Sequence, residues 1–405
     1  MEGRPAVLEL RLKNYKSVAG AVLPLNPLTV LIGPNGSGKS NILNGLGLIA
    51  DALSLQLPAA ISTHGGLDLV RRQIPGSHLP PWFGAAVKLG LPPRSVKAPI
   101  EVHYGFVVGH DRQQGYAIKR ERCVVRFPDG GHVAWFDRSA DGVRTNTNLG
   151  MKVAPHALLL QQAAEKPWFQ IAFGALTAIR TYVLTPRVMA GWQADQPGRE
   201  LGRDGRNIAG LIKEMQRNRP DDYQRLCALL RAVVPAVQGV SAVREGENLG
   251  LRFAQQLGPG GRSVNLDAAS VSQGTLRVLG LLAAVYQRPS PLLMAIEEPE
   301  AILHPGAMGT LLEILKVGID NSQLLITTHS PDLLDRQELD PECVRLVHSQ
   351  AGVTQVAPIG PTALEAIRQG ETSIGQLMRS GQLAPEGACA ADEVELFPAV
   401  EGVHG

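Results

Sequence analysis

The run Gly33-Pro34-Asn35-Gly36-Ser37-Gly38-Lys39-Ser40 has the residue types and spacing of a loop that wraps phosphate, G-x-x-x-x-G-K-[ST]. Its glycines let successive backbone N–H groups turn inward around phosphate oxygens, and a helix start behind them adds positive potential. Lys39 would neutralise β- and γ-phosphate charge, the Ser40 hydroxyl would ligate Mg2+, and Asn41 extends the set of contacting positions. A glycine-rich turn with an exposed lysine would share these letters. The context argues for the phosphate loop, because LTVLI (28–32) reads as a buried strand and a helical stretch runs from Lys39 to about Leu53.

Such a loop needs a second carboxylate for the metal and a group that polarises water. Leu292-Leu293-Met294-Ala295-Ile296-Glu297-Glu298 offers both at the end of an apolar strand. Glu297 suits the magnesium role, and Glu298 suits the catalytic role of polarising the attacking water. Adjacent glutamates at a strand end are more often solvated surface, so the reading depends on the other motifs. The next apolar run, QLLITT, ends at His329, followed by Ser330-Pro331-Asp332-Leu333-Leu334. Ser as N-cap and Pro at the first helical position put His329 on a strand-to-helix corner, at the sheet edge where ligands bind. There it could touch the γ-phosphate and the water, as the second candidate catalytic residue.

These motifs must be carried by an α/β core assembled from both ends of the chain. Residues 6–12 alternate like a strand, while 55–99 look like loops with short helices. Residues 100–143 form β-runs separated by GHDRQQG and PDGG, an antiparallel hairpin pattern. Residues 155–180 and 205–234 read as helical, and NLGLRFAQQL with RSVNLD as another hairpin. Helix and strand alternate again from 272 to 348, and the stretch beyond about 380 reads as frayed.

With 405 residues, the chain can bury a core without disulfide or metal staples. Lys and Arg number 39 against 37 Asp and Glu, which excludes a polybasic protein whose nucleic-acid affinity comes from bulk charge. The glycine count, 44, suits many turns and some backbone-mediated ligand contact. No apolar stretch is long enough to span a bilayer, no signal-peptide core is evident, and four cysteines lie scattered. A cytoplasmic protein without a membrane partner is expected.

Taken together, GPNGSGKSN, the Ser272-Gln273-Gly274-Thr275 loop opening SQGTLRVLGLLAA, IEEPEAILHP and TTHSPDLL resemble the ABC-type ATPases of the SMC/RecF-like group. The chain is most similar to that group's compact AAA-type branch, close to the ATPase half of OLD-family proteins. The resemblance covers most of residues 6–350. It implies a fold of α/β class: an ABC-type P-loop ATPase head with an antiparallel β subdomain, an inserted helical lobe and no long coiled coil. The expected parts are a core from 1–55 and 265–350, a β subdomain near 100–145, a helical and β lobe near 146–264, and a partly flexible extension, 351–405.

The resemblance implies ATP and Mg2+ as cofactors, with Gly33 to Asn41 on the nucleotide. It also places Ser272 and Gly274 on the γ-phosphate held by a second copy, in an ATP-dependent homodimer. Glu300 to His304 occupy the D-loop position, and Asn14 to Ser17 that of adenine or ribose contacts. Gln56 and Gln73 both remain candidates for the Q-loop glutamine. The signature departs from the L-S-G-G-Q of transporters, which argues against a transporter subunit. About 55 residues follow the last strand-like segment, too few for the TOPRIM nuclease domain of OLD proteins, so the expectation is ATP hydrolysis without DNA cleavage. The implied role is an ATP-gated engine in genome maintenance or defence against foreign DNA, with DNA and a separate effector protein as partners. The alternative is a slow-hydrolysing, nucleotide-sensing scaffold that regulates a separate nuclease or toxin. DNA contacts would fall on Lys119, Arg120, Arg122 and Arg126, or on Arg199, Arg203 and Arg206.

Overall fold

In the computed structural model, the residues described are 4–72, 80–92, 99–111, 115–128, 132–150, 154–195, 200–256, 261–301, 303, 305–335, 339–383 and 385–399. Seventeen strands are present among them. They are β1 (Ala6–Tyr15), β2 (Val18–Pro24), β3 (Leu28–Ile32), β4 (Trp82–Leu91), β5 (Ile100–Asp111) and β6 (Gly115–Arg126). Next come β7 (Val133–Ser139), β8 (Gly142–Thr145), β9 (Ile179–Tyr182), β10 (Gln193–Ala194), β11 (Val237–Glu245) and β12 (Asn248–Gln256). The last are β13 (Ser263–Asp267), β14 (Leu293–Glu297), β15 (Gln323–Thr328), β16 (Val344–Gln350) and β17 (Val353–Pro358). The chain divides into two compact units, residues 1–180 with 337–405 and residues 181–336.

In the first unit the strand order is β8-β7-β6-β5-β4-β1-β2-β17-β16-β3. From β8 to β2 every pairing is antiparallel, as the hairpin pattern of 100–143 predicts. The β2–β17 and β16–β3 pairings are parallel, so the phosphate-loop strand joins a mixed sheet region. The glycine- and alanine-rich β4, WFGAAVKLGL, contradicts the expectation of loops over 55–99. Its intrinsic β propensity is low, and it is held by pairing along both edges, with β1 and β5.

Within the second unit, β14 pairs in parallel with β15, matching Glu297 to Thr327. A separate antiparallel sheet is centred on β12, which pairs with β10, β11 and β13. The helix Gln273–Tyr286 buries nearly all its residues from Thr275 onward and serves as a core helix. Two expected helical stretches are modified. Residues 155–180 end in β9 rather than helix, and Pro220 splits 205–234 into Ile208–Asn218 and Pro220–Val233. Among the described residues the longest helix, Lys39–Ser54, has 16 residues, in keeping with the absence of a long coiled coil. None of the described helices is long and apolar enough to cross a membrane.

The stretch beyond 380 is not uniformly frayed. Val394 and Leu396 are buried at 1% and 8% exposure, against the antiparallel sheet of the first unit.

Candidate functional site

In the first unit, the buried end of β3 leads into Gly33, whose φ is 155°. A Cβ there would lie 1.9 Å from the Val347 carbonyl oxygen, so only glycine fits. Gly38, φ 104°, is equally constrained, since a Cβ would lie 2.0 Å from Thr354 Oγ1. Gly36 differs. Its φ of 77° favours glycine, yet no atom lies within 4 Å of a Cβ built there. The loop is pinned at its two ends and open at its tip.

The helix Lys39–Ser54 starts at Gly38 with no side-chain cap, and its Asn41 and Ile42 N–H groups turn back to the Gly38 carbonyl (3.0 and 3.2 Å). Ser37 Oγ is buried without a hydrogen-bond partner among the described residues. Lys39, 6% exposed, donates from Nζ to the carbonyls of Gly33 (2.7 Å) and Pro34 (3.1 Å). A helix start without a side-chain cap, an orphan hydroxyl and a cation folded onto its own loop are the features of an anion cradle. Pro34, Asn35 and Ser40 are exposed around it.

A one-directional chain of hydrogen bonds supports this loop. Asn41 Nδ2 donates to Ser17 Oγ (2.7 Å). The Ser17 and Thr354 hydroxyls meet at 2.6 Å, and Thr354 Oγ1 donates to the Ser37 carbonyl (2.8 Å). With Thr354 donating onward and Ser17 accepting from Asn41, Ser17 must donate to Thr354. Asn41 and Ser17, both read as nucleotide contacts, are thus bonded to each other in a strut behind the loop. Nothing in the sequence singles out Thr354; the available signal is a threonine between Val353 and Gln355 in VTQVAP. Gln56 is exposed at the start of the helix Leu57–Thr63. Gln73, His304 and Arg199 lie outside the described residues.

The second unit holds the acidic corner. Glu297 ends β14, half-buried, and Glu298 follows with φ 42°, a left-handed conformation costly for a residue bearing a Cβ. The Glu298 N–H is shared between the Thr327 carbonyl and Thr327 Oγ1, both at 3.1 Å. His329 Nδ1 sits 3.1 Å from Glu298 Oε1, with the two side chains 47% and 33% exposed, so both predicted catalytic residues meet. Such strain is found where a fold over-determines a functional corner.

Behind the pair lies a buried relay. The Thr328 hydroxyl donates to Glu300, which is 5% exposed, and accepts the Ser330 N–H at 3.0 Å. Ser330 is the N-cap residue of Pro331–Leu334 by backbone position, but its side chain makes no capping bond. Thr328 therefore fixes the turn that carries His329. Thr328→Val, nearly equal in volume, is expected to cost about 1–3 kcal/mol through the two lost partners. A lowered denaturation midpoint at unchanged slope would report it.

Ser272 caps the helix Gln273–Tyr286, accepting from Thr275 N at 3.1 Å, and is exposed together with Gln273. Gly274 lies in the first turn. Of the two basic clusters, Arg120 pairs with Asp137 at 2.7 Å, and Arg206 pairs with Asp204 at 2.9 Å.

A glycine loop on a buried strand, together with an acidic strand end beside a parallel neighbour, defines the P-loop class of α/β fold. The chain belongs to the family described as "AAA domain, putative AbiEii toxin, Type IV TA system", whose sequence model matches residues 28–81 and 175–335, more than half of the chain. Two solved structures are similar over nearly their whole length. An SMC head bound to the C-winged helix domain of ScpA has a TM-score of 0.52 at 14% identity, covering 89% of this chain and 99% of that one. An Smc head with an extended coiled coil, bound to the C-terminal domain of ScpA derived from Pyrococcus furiosus, has 0.52 at 13%, covering 91% and 100%. At that identity the likeness shows the fold.

Among curated proteins, Structural maintenance of chromosomes protein 4 of Schizosaccharomyces pombe is 41% identical over 76 residues, 16% of this chain and 6% of that protein. The OLD nuclease of Thermus scotoductus is 45% identical over 40 residues, 10% and 8%. The chain therefore spans less than a tenth of the length of either relative. These findings support an AAA-type ATPase family member related to SMC heads and OLD proteins.

Proposed function

We propose that the chain binds and hydrolyses ATP, and that ATP closes two copies of it in a DNA-related process involving a separate effector. The observation that carries the nucleotide reading is the open loop tip at Gly36, next to a helix start with no side-chain cap and to a buried Ser37 Oγ with no partner among the described residues. Phosphate oxygens match that need. Lys39 would exchange its two carbonyl partners for phosphate charge. Ser40 and Glu297 are hard oxygen donors of the kind that hold magnesium together with substrate phosphates. When bound, Mg2+ would neutralise charge on the transferred phosphoryl group.

Glu298 would take the proton of the attacking water, and His329 would orient Glu298 and meet the γ-phosphate. Ser272 and Gly274, at an exposed helix start, would reach the nucleotide of the second copy. The relatives' names support the biological setting: SMC proteins maintain chromosomes, OLD is a nuclease, and the family description names a toxin–antitoxin system. These support genome maintenance or defence as the process. A slow-turnover, nucleotide-sensing scaffold for a nuclease or toxin is the second reading, favoured by the Glu298 carboxylate already engaged by His329. Turnover by purified protein with and without DNA separates them, because only the engine should hydrolyse briskly.

Lys39→Ala is expected to weaken ATP binding by about 100-fold or more, since a charge-assisted contact is lost in a partly buried site. Gly36→Ala should act on binding too: its Cβ meets no atom, while φ 77° adds about 1–2 kcal/mol of backbone strain that the melts report. Titration with a fluorescent ATP analogue, alongside thermal melts, checks both. ATP affinity equal to the parent's in Lys39→Ala would remove the proposal.

A further inference from the structure

Residues 381–405 carry five carboxylates and no lysine or arginine, so the rest of the chain is seven positive while the whole is only two positive. Within that stretch, Ala391–Pro398 lies on the antiparallel sheet of its own unit. Cross-strand register shows what it covers. One row runs Arg11, Ala86, Gly105, Arg122, and the next runs Lys13, Gly84, Val107, Arg120. Residues directly opposite in register share a face. The face is therefore a trough with a floor of small residues and walls of paired cations, about 14 Å apart at three strand spacings.

The segment is held closely. Leu396 Cδ1 would be 2.3 Å from a Cβ on Gly84, and the Ala391 carbonyl oxygen 2.7 Å from one on Gly20. Lys13 Nζ donates to the Val394 carbonyl (2.8 Å), Arg11 to that of Glu395 (2.6 Å) and Arg122 to that of Pro398 (3.3 Å). Arg120 stacks 4.7 Å from the Phe397 ring centroid. The segment's three carboxylates, on Asp392, Glu393 and Glu395, remain exposed.

Arg122 is the telling residue. It is 91% buried, its Nε has no partner, and burial pulls its pKa down. A desolvated guanidinium prefers an anionic oxygen, bound bidentately, to one neutral carbonyl. Arg11 also holds Glu9 Oε1 (2.5 Å) and Arg120 both Asp137 oxygens (3.1 and 2.7 Å), so Lys13 and Arg122 are the cations that the segment meets with backbone oxygen. A ligand whose backbone oxygens are themselves charged would satisfy them better. Beside the segment, a cavity of about 710 Å³ lined by Trp82, His110, Lys119 and Arg120 leaves room along the same cations.

We propose that this trough is a binding face for the phosphate backbone of a nucleic acid, and that Ala391–Pro398 is an intramolecular strap that must leave for binding. The inference rests on the nucleic-acid side of the function proposed above and not on ATP chemistry, so its test is run without nucleotide.

The probe is a short fluorophore-labelled DNA duplex, titrated against the full chain at several salt concentrations. Two variants loosen the strap: Leu396→Ala removes one anchor, and Val394→Ser/Leu396→Ser removes both. Each is expected to bind more tightly than the parent, the second at least tenfold, with a log affinity–log salt slope steeper by about 2 for Lys13 and Arg122 freed. Adding Arg122→Gln to the second variant should reverse much of the gain. If the double variant does not fold, Leu396→Ala decides, because it keeps the Val394 contact. Binding no tighter than the parent in folded variants overturns the proposal. So does a result in which the double variant captures a synthetic 391–398 peptide that the duplex cannot displace, which would make the trough a peptide seat.

Discussion

Glu298→Gln is expected to slow ATP turnover by about 10²–10⁴-fold, the usual contribution of a positioned general base, while ATP still binds. The backbone corner should survive, because it is fixed by the Glu298 N–H on Thr327 and not by the carboxylate. The remaining carbonyl oxygen of Gln can still face His329 Nδ1, now 3.1 Å from Glu298 Oε1. Only proton acceptance is removed. Bound ATP should then persist, and an ATP-dependent dimer should accumulate. Single-turnover phosphate release and sedimentation velocity measure the two consequences.

A companion substitution separates chemistry from strain. Glu298→Gly removes the base but suits φ 42°, so it should relieve about 1–2 kcal/mol of left-handed backbone cost. Loss of turnover with an unchanged or raised melting temperature would identify the carboxylate as the active element. Turnover near the parent's in Glu298→Gln, with no trapped dimer, would leave the slow-scaffold reading or neither.

The legible parts of the site share one property: their signals are local. Gly33 to Ser40 declare a phosphate loop because strand, turn and helix start occupy one short stretch. Glu297, Glu298 and His329 declare themselves because each ends an apolar run. Thr354 carries no such signal. Its role exists only because β17 returns beside β2, placing it 2.6 Å from Ser17 across 337 positions of chain. The strand β4 was hidden for a related reason, since its small residues are selected by what lies above them. Gly84 leaves room for Leu396, which is more than 300 residues away. Charge was similarly concealed: a balanced total conceals a basic body covered by an acidic segment. Local chemistry was readable, whereas long-range pairing and masking required the folded chain.

Glu121 gives the largest expected stability effect, and sequence alone gives no reason to single it out. It is fully buried on β6, facing the start of the helix Leu159–Ala163. Oε2 accepts the Leu159 N–H (2.6 Å), and Oε1 accepts the Leu160 N–H (2.9 Å) and the Tyr104 hydroxyl (3.1 Å). Arg138, which donates to the carbonyls of Ala154 and Ala157, approaches Oε2 at 3.9 Å. Glu121→Ala would strand these donors beside a buried guanidinium, at about 3–5 kcal/mol. Gln keeps one carbonyl oxygen but turns a donor toward the Leu159 N–H, so it should fall between.

The pH dependence gives a sharper test. Burial pushes the Glu121 carboxyl up to about 7 from its ordinary 4.5. Between those values the folded form binds the extra proton, so stability falls as pH rises, by up to about 1.4 kcal/mol per pH unit. The contribution is fully present below pH 4.5 and lost as pH passes 7. Denaturant melts of parent and Glu121→Gln across this window should differ in slope, with Gln the flatter. Parallel slopes would mean that hydrogen bonds from Leu159 and Leu160 keep the carboxylate charged throughout, and that the helix start, rather than burial, governs this group.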